Sequence, residues 1–374
     1  MHGRAPLHVI ALFGASFATG GCAPSAPATL CLDGTSLDVL PVGRDESLPD
    51  TGCPGLVLAG GPPPPYTMTI DGRELVLRGG FVWERQGDRL CRIPEQAASG
   101  YYEPPLFDGF ADAFTVQGCE LFRSADDGTR VGVGRDFAAS FEGVDDVCGL
   151  LGPVHRFTAI TLQSPAAPEV ADYVALRNRV CGEGAPFLDN TLEVLADAAH
   201  DGSRGLRCFA VAQDAVLAAG GHPSKSSIET ELVHFVRGDV ARIEVWMRVV
   251  DGMPLGLLDL ETTFVASRPG PRILVREDGR LEGELKWGDK PRFAPLPGAS
   301  PIPIGRWFRL VVELSLEPDE AGHLRVSIDD EVVIDADGPT LPLPNSILNS
   351  LELGLTSALI ETTLDVDDVV VSGG

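Results

Sequence analysis

The feature that most constrains the fold of this chain is the run of short alternating segments in its second half. Segments such as VARIEVWMRVV (residues 240–250) and HLRVSIDD (residues 323–330) place apolar residues at every second position, and turn residues separate them. A period of two is typical of strands with one buried face. Many such runs at similar spacing predict an antiparallel sandwich or barrel.

The composition agrees with an all-β chain. The 374 residues include 43 Gly and 30 Pro but only 4 Met, which favours short strands joined by turns. One segment, PEVADYVALRNRV (residues 168–180), has Pro near a helix start and apolar residues at helical spacing, so it predicts a short helix.

Residues 31–162 carry strand patterns together with five cysteines. YTMTIDGRELVL (residues 66–77) alternates on both sides of Asp71–Gly72, a strong hairpin signal, and residues 81–93 and 118–133 repeat this plan. We therefore expect a cysteine-rich β-meander domain over residues 31–162, a linker with the short helix over 163–182, and a separate β domain over 183–374.

The order of features in residues 183–374 resembles the concanavalin A-like jelly rolls of the laminin-G-like kind. A Gly-Ser-Arg-Gly step leads into LRC, Trp246 lies in an alternating strand, Trp307 opens a long strand, and the chain closes with DVDDVVV. The resemblance implies an antiparallel jelly-roll sandwich.

The N-terminus predicts export. Arg4 precedes the apolar run PLHVIALFGASFA, and small residues lead to Cys22. This arrangement resembles the lipobox of bacterial lipoproteins, which implies a signal peptide over 1–21, an acylated Cys22, a tether over 22–30 and a lipid-anchored place on the outer membrane or cell surface. Ordinary signal-peptidase cleavage nearby is the alternative.

The charge of the chain limits its partners. Lys and Arg total 29 against 54 Asp and Glu, a formal net charge of -25. Such a surface repels phosphate backbones, which argues against a nucleic acid partner.

Eight cysteines are spaced widely, and none forms a C-x-x-C pair, so the pattern does not suit zinc. In an exported chain we expect disulfides. Local spacing favours Cys31 with Cys53, Cys91 with Cys119, and Cys181 with Cys208. Lipidation of Cys22 would leave an odd number of thiols.

Ser203 lies between two glycines beside a histidine, as catalytic serines can. A nucleophile elbow needs G-x-S-x-G at a strand-to-helix turn, whereas here an alternating strand follows Gly205. We interpret Ser203 as a turn residue and expect no catalytic role for it.

Residues 183–374 lack the catalytic groups of two familiar enzyme types of this fold. Laminarinase-like jelly rolls carry E-x-D-x-E or E-x-D-x-x-E on one strand, and many jelly-roll lyases use a tyrosine base. The segment has neither pattern nor tyrosine. A divergent glycosidase or lyase therefore stays the alternative to a binding protein.

The best candidate for ligand binding is the polar side of the strand around Trp246. Alternation sends Ile243, Val245, Met247 and Val249 to one face and Trp246 with its charged neighbours to the other. An aromatic ring beside charges suits a sugar. The alternative is an ordinary outer face, or a tryptophan under a loop. The predicted ligand-binding residues are Glu244, Trp246, Arg248, Glu261 and Arg309.

The carboxylates near the C-terminus suggest either a structural Ca²⁺ or a solvated strand end. The resemblance favours an ion between the first and last strands, and Asp189, Asp365 and Asp368 are its predicted ligands. No other cofactor is expected. The sequence predicts an exported surface lipoprotein that binds a glycan or surface polymer, with a cleaving enzyme or a structural module without a small ligand as alternatives.

Overall fold

The computed structural model describes residues 31–33, 66–70, 73–78, 81–92, 114–117, 120–124, 130–152, 156–262, 268–287, 290–342 and 346–374. The predicted signal peptide, Cys22, the tether, Cys53 and Cys119 lie outside these residues. Within them the chain is an all-β protein built from antiparallel sheets, as the sequence predicts.

The N-terminal part forms two small antiparallel sheets. The first has the order β1-β5-β4-β3-β2, and its β2 and β3 pair on either side of residues 71–72 as the hairpin pattern predicts. The second has the order β6-β7-β8. The strands are β1 (Cys31–Asp33), β2 (Tyr66–Ile70), β3 (Arg73–Arg78), β4 (Phe81–Gln86), β5 (Arg89–Arg92), β6 (Phe114–Gln117), β7 (Glu120–Ser124) and β8 (Arg130–Val133).

The remainder forms a sandwich of a seven-stranded and an eight-stranded sheet. The seven-stranded sheet has the order β10-β13-β22-β15-β16-β17-β18. Its strands are β10 (Ala159–Thr161), β13 (Ser224–Thr230), β15 (Gly256–Glu261), β16 (Pro271–Val275), β17 (Leu281–Leu285), β18 (Arg292–Phe293) and β22 (Ser350–Ala358).

The eight-stranded sheet has the order β11-β12-β23-β14-β19-β20-β21, and β9 pairs with β23. Its strands are β9 (Phe137–Ala139), β11 (Thr191–Leu195), β12 (Gly205–Ala210), β14 (Val240–Asp251), β19 (Phe308–Ser315), β20 (His323–Ile328), β21 (Glu331–Asp337) and β23 (Thr362–Gly373). Because β9 and β10 belong to the two sheets, the sandwich draws on strands that precede residue 183, the start proposed from the sequence.

The helix predicted from residues 168–180 is present as α1 (Val170–Glu183), and a shorter helix, α2 (Ala215–Ala219), follows β12. At the start of α1 the Glu169 N–H donates to the Asp172 carboxylate at 3.3 Å, and the helix ends at Gly184 with φ 69. Leu176 and Val180 face the sandwich core. No helix among the described residues is long and apolar enough to cross a membrane.

The core between the sheets confirms the alternation predicted for β14. Ile243, Val245, Met247 and Val249 are 0% exposed, whereas the residues between them are partly exposed.

The cysteine pairing differs from the prediction. Cys181, in the last turn of α1, is bonded to Cys148 in the 3-10 helix Val147–Leu150, and Cys208 is a buried free thiol. Cys208 points into the core from the middle of β12, so it cannot reach the helix end. Cys91 is disulfide-bonded and lies opposite Cys31 in the β1–β5 register. The predicted Cys181–Cys208 pair is therefore wrong.

Candidate functional site

The outward side of the seven-stranded sheet, here called the charged face, is lined by ionic side chains. Along β15, Leu258 and Leu260 pack into the core while Asp259 and Glu261 point to the other side. The same alternation holds in neighbouring strands. The residues that define the charged face are Lys225, Ser227, Glu229, Asp259, Glu261, Arg268, Arg272, Arg276, Glu282, Glu284, Lys286, Arg292 and Glu352.

Three buried carboxylates meet at the centre of this face. Oxygens of Asp259, Glu261 and Glu352 lie within 4.8 Å of one another. Their spacing could hold a metal ion, but ammonium groups already pair with two of them: Lys286 Nζ lies 2.5 Å from Glu261 and Lys225 Nζ 3.7 Å from Glu352. The third, Asp259, accepts from the Thr356 hydroxyl at 3.2 Å. The geometry therefore describes an ion-pair network.

Burial and ion pairing shift the pKa values of Glu261 and Glu352 in opposite directions. Burial raises the pKa of Glu261 to about 7, against the attraction of Lys286. Burial alone would also raise the pKa of Glu352, but the nearby Lys225 and a hydrogen bond from Ser227 hold it below its usual range. Glu261 is thus the carboxyl of the pair that takes up a proton more readily.

A second set of ion pairs lies towards the β18 edge. Arg272 Nε donates to Glu284 at 2.8 Å, and Arg292 reaches Glu284 at 2.7 Å and also contacts Glu282. Arg276 approaches Glu282 at 3.0 Å. Each carboxylate is shared by two guanidinium groups, which fixes all of them in place.

Two clefts open on this side of the sheet. The central cleft, about 220 Å³, is lined by ionic residues that include Lys225, Glu261 and Glu352. The outer cleft, about 760 Å³, is lined by β16, β17 and β18 residues such as Arg272, Glu282 and Arg292. The strand order places the two clefts side by side across the sheet.

Helix α1 brings a tyrosine to the central cleft, which the sequence analysis missed. Tyr173 and Arg177 both line it. Burial raises the pKa of Tyr173. Residues 183–374 contain no tyrosine, but α1 precedes them, lies against β10 at the sheet edge and contributes to the same surface. The helical spacing of residues 168–180, which include Tyr173, was the sequence pattern that could have indicated this residue.

The predicted ligand-binding residues divide between the two sheets. Glu244, Trp246, Arg248 and Arg309 lie together on the outward side of the eight-stranded sheet, where Arg309 is the cross-strand partner of Trp246 and its Nη1 lies 3.6 Å from Glu244. Glu261 does not join them, because it lies on the charged face.

Around Trp246 the side chains form a stacked group, here called the aromatic face, made of His200, Trp246, Arg248 and Trp307. The His200 ring stacks on Trp246 with centroids 3.8 Å apart, and the Arg248 guanidinium lies 4.9 Å from the Trp307 ring centre. One face of the Trp246 ring is therefore covered by the loop that carries His200.

The predicted calcium ligands are not brought together. Asp365 is 0% exposed and accepts from Arg207 at 2.8 Å and Arg248 at 2.6 Å. Asp368 pairs with His200 at 3.0 Å, and Asp189 accepts from the Ala166 N–H at 2.9 Å. Among the described residues, the carboxylates spaced for an ion are instead those of the central cleft.

Ser203 lies in the turn before β12, as expected. Its N–H and hydroxyl both donate to the Glu142 carboxylate, at 2.6 and 2.5 Å. These hydrogen bonds lower the pKa of Glu142. The serine holds a surface loop.

Comparison with known proteins found only distant similarity, to solved structures. No protein-family model matches the sequence, and no curated protein matches it. An endo-β-1,4-glucuronan lyase from the fungus Trichoderma reesei has 13% identity over 50% of this chain and 87% of that chain, with a TM-score of 0.39. The marine PL-14 alginate lyase from Aplysia kurodai has 11% identity over 57% and 98%, with a TM-score of 0.34. The binding domain of botulinum neurotoxin DC in complex with SialylT has 10% identity over 49% and 41%, with a TM-score of 0.31.

Proposed function

We propose that this protein binds a glycan on the charged face of the seven-stranded sheet. The observation that carries the proposal is the burial of paired carboxylates, among them Glu261 and Glu284, on a sheet face that has open clefts. Burying an ion costs several kcal/mol, and an apolar lining would stabilise a sandwich equally well. A network of this kind is therefore better explained by recognition than by stability.

The chemistry of the clefts suits sugars. Glycan hydroxyls donate and accept hydrogen bonds, and ionic partners make those bonds shorter and stronger than neutral ones. Because ion pairs across β16, β17 and β18 already hold the side chains, binding would immobilise few of them and lose little conformational entropy. Concave surfaces with converging polar groups are the usual form of a ligand site.

A single surface arginine tests this proposal. The Arg292 side chain is 56% exposed, and Arg272 and Arg276 would still neutralise its partners Glu284 and Glu282 if it were removed. We expect Arg292→Ala to keep the fold and to weaken glycan binding about tenfold, as measured by calorimetry after a glycan-array screen.

The matched control lies on the other sheet. Arg325 is 46% exposed and pairs with Asp335 on the eight-stranded sheet. Arg325→Ala should leave the affinity unchanged. Equal losses in the two variants, or none in Arg292→Ala, would contradict the placement of the site.

Tyr173 favours a second candidate function, a polysaccharide-cleaving enzyme. It lines the same cleft as Glu261, so two groups able to exchange protons face one cavity. Glycans that bind should be incubated with the protein and the products analysed by mass spectrometry and ultraviolet absorbance. Cleavage that disappears in Tyr173→Phe while binding persists would favour the enzyme over a binding protein.

The glycan-binding surface predicted around Trp246 stays a prediction, and it would be a second contact, separate from the charged face. His200 covers one ring face, so a sugar would have to stack on the other. Export and lipid anchoring at Cys22 are likewise part of the proposal. Mass spectrometry of the membrane fraction should find an acylated Cys22, and a soluble mature form that begins elsewhere would contradict it.

A further inference from the structure

On the charged face the negative groups lie deep and the positive groups lie shallow. The carboxylates that the strands contribute to the ion pairs are at most 10% exposed, whereas the cations that hold them are at least 20% exposed. The carboxylates are Glu229, Glu261, Glu282, Glu284 and Glu352, and the cations are Lys225, Arg268, Arg272, Arg276, Lys286 and Arg292. The loop acids Glu277 and Asp278 are exposed at the rim of the outer cleft, but over the strands themselves a ligand that enters from solvent meets the cations before the carboxylates.

The accessible groups are hydrogen-bond donors. A guanidinium group has five N–H donors and no acceptor, and an ammonium group has three donors. The carboxylates beneath use part of this capacity, and the side chains of Arg292 and Arg276 are 56% and 42% exposed, so solvent reaches part of each. Such a surface complements acceptor oxygens, above all charged ones.

The two clefts are lined by more positive than negative side chains, whereas the chain as a whole has more negative ones. The lining of each cleft holds four Lys or Arg side chains against three Asp or Glu. The whole chain has 29 against 54. The net negative charge of the chain disfavours anionic polymers, whereas the lining of these two clefts, among the residues that the structure describes, favours an anion.

We propose that the glycan is an acidic polysaccharide whose anionic groups are bound by the exposed N–H groups of Arg272, Arg276 and Arg292. This inference rests on the proposed function and adds the chemical class of the ligand. Arginine suits this role because its planar fork can bind both oxygens of a carboxylate or sulfate group at once. The deep carboxylates hold each fork in a fixed orientation and leave its outer edge for the ligand.

The test changes the charge of the ligand without changing its backbone. The intact chain is titrated with polygalacturonate, alginate and glucuronan, and with the same three polymers after methyl esterification of their carboxylates. Dextran sulfate against dextran forms a separate arm that tests sulfate. We expect one acidic polymer to bind, its neutral form to bind about tenfold more weakly, and Arg292→Glu to abolish binding.

The outcomes separate this inference from the proposed function. Arg292→Lys should retain part of the affinity, and Arg325→Glu on the other sheet should retain all of it, while thermal melting shows that each variant is folded. If a neutral polymer binds as tightly as its acidic form and Arg292→Ala weakens it, the glycan site stands and its anionic character is overturned. If no polymer binds, or if binding ignores Arg292, both are overturned.

Discussion

The outward faces of the two sheets use the same alternation of residues in different ways. In β14 of the eight-stranded sheet, buried core residues alternate with partly exposed ones such as Trp246 and Arg248. In β15, β17 and β22 of the seven-stranded sheet every residue is buried, although carboxylates occupy alternate positions in β15 and β17 and Glu352 lies in β22. A polar residue at an outward position is therefore not evidence that the position is exposed.

The cations explain this difference. Arg268 and Lys286 lie just outside strands, and their long side chains reach over the sheet to Glu229 and Glu261. Arg272 pairs across strands with Glu284, its register partner. Aliphatic stems cover the carboxylates while the charged heads stay nearer to solvent. Paired charges can therefore form the buried layer that apolar residues form elsewhere.

The largest expected effect compares one carboxylate from each face. Glu284 is 0% exposed and paired with two arginines, whereas Glu313 on β19 is 39% exposed and lies 3.1 Å from Arg242. We expect Glu284→Ala to lower the free energy of unfolding by about 3 kcal/mol, because it leaves the partly buried guanidinium of Arg272 without its carboxylate. Glu313→Ala should cost less than about 1 kcal/mol. Urea titration measures both, and similar costs would break the comparison.

A smaller difference is expected between neighbours on β14. Met247 is 0% exposed and Trp246 is partly exposed beneath His200. Met247→Ala should destabilise by about 3 kcal/mol through a core cavity, and Trp246→Ala by about 1 kcal/mol through loss of ring contacts. If Trp246 also binds a sugar, its variant should weaken glycan affinity roughly fivefold. Thermal melting and titration distinguish these effects, and a collapse of Trp246→Ala would reassign that ring to the core.

The charged face should also give stability a pH dependence. The native pKa of Glu261, about 7, exceeds its ordinary 4.5, so the native state keeps a proton that the unfolded chain has released. This contribution to stability is complete below about pH 4.5 and is lost as the pH rises through 7, by at most about 1.4 kcal/mol per pH unit. Glu261→Gln should flatten that part of the profile.

Four charged groups around Glu261 also act on its pKa. Lys286 and Arg268 favour its ionised form, while Asp259 and Glu352 oppose it. Denaturant unfolding of both proteins between pH 4.5 and 7.5 compares the slopes. Identical slopes would show that the network as a whole titrates without a dominant proton at Glu261.

The smallest effect is expected at Ser203, at the entry to β12. The residue is exposed, and its hydroxyl bonds the surface carboxylate of Glu142. Ser203→Ala should change stability by less than about 0.5 kcal/mol. It should also leave any hydrolytic activity unchanged. Labelling of Ser203 by a fluorophosphonate probe would contradict its assignment as a turn residue.

Part of the candidate site could be predicted from the sequence. The alternation in VARIEVWMRVV correctly separates Met247 from Trp246, because side-chain direction in a strand is a local property. The same reasoning could not assign Glu261 to a sheet. Trp246 and Glu261 occupy similar outward positions in their strands, and the sheet to which each strand belongs depends on pairing between distant segments.

The sequence by itself determined the all-β class, the hairpin at residues 71–72, the helix near Tyr173 and the turn at Ser203, since each follows from residues close together in the chain. Only the tertiary structure decided that Cys181 pairs with Cys148, that Tyr173 faces a cleft, and that arginines and lysines cover the carboxylates of the charged face. Those features join residues up to 127 positions apart, as in Lys225 and Glu352. Their geometry depends on sheet order and burial, which no local pattern encodes.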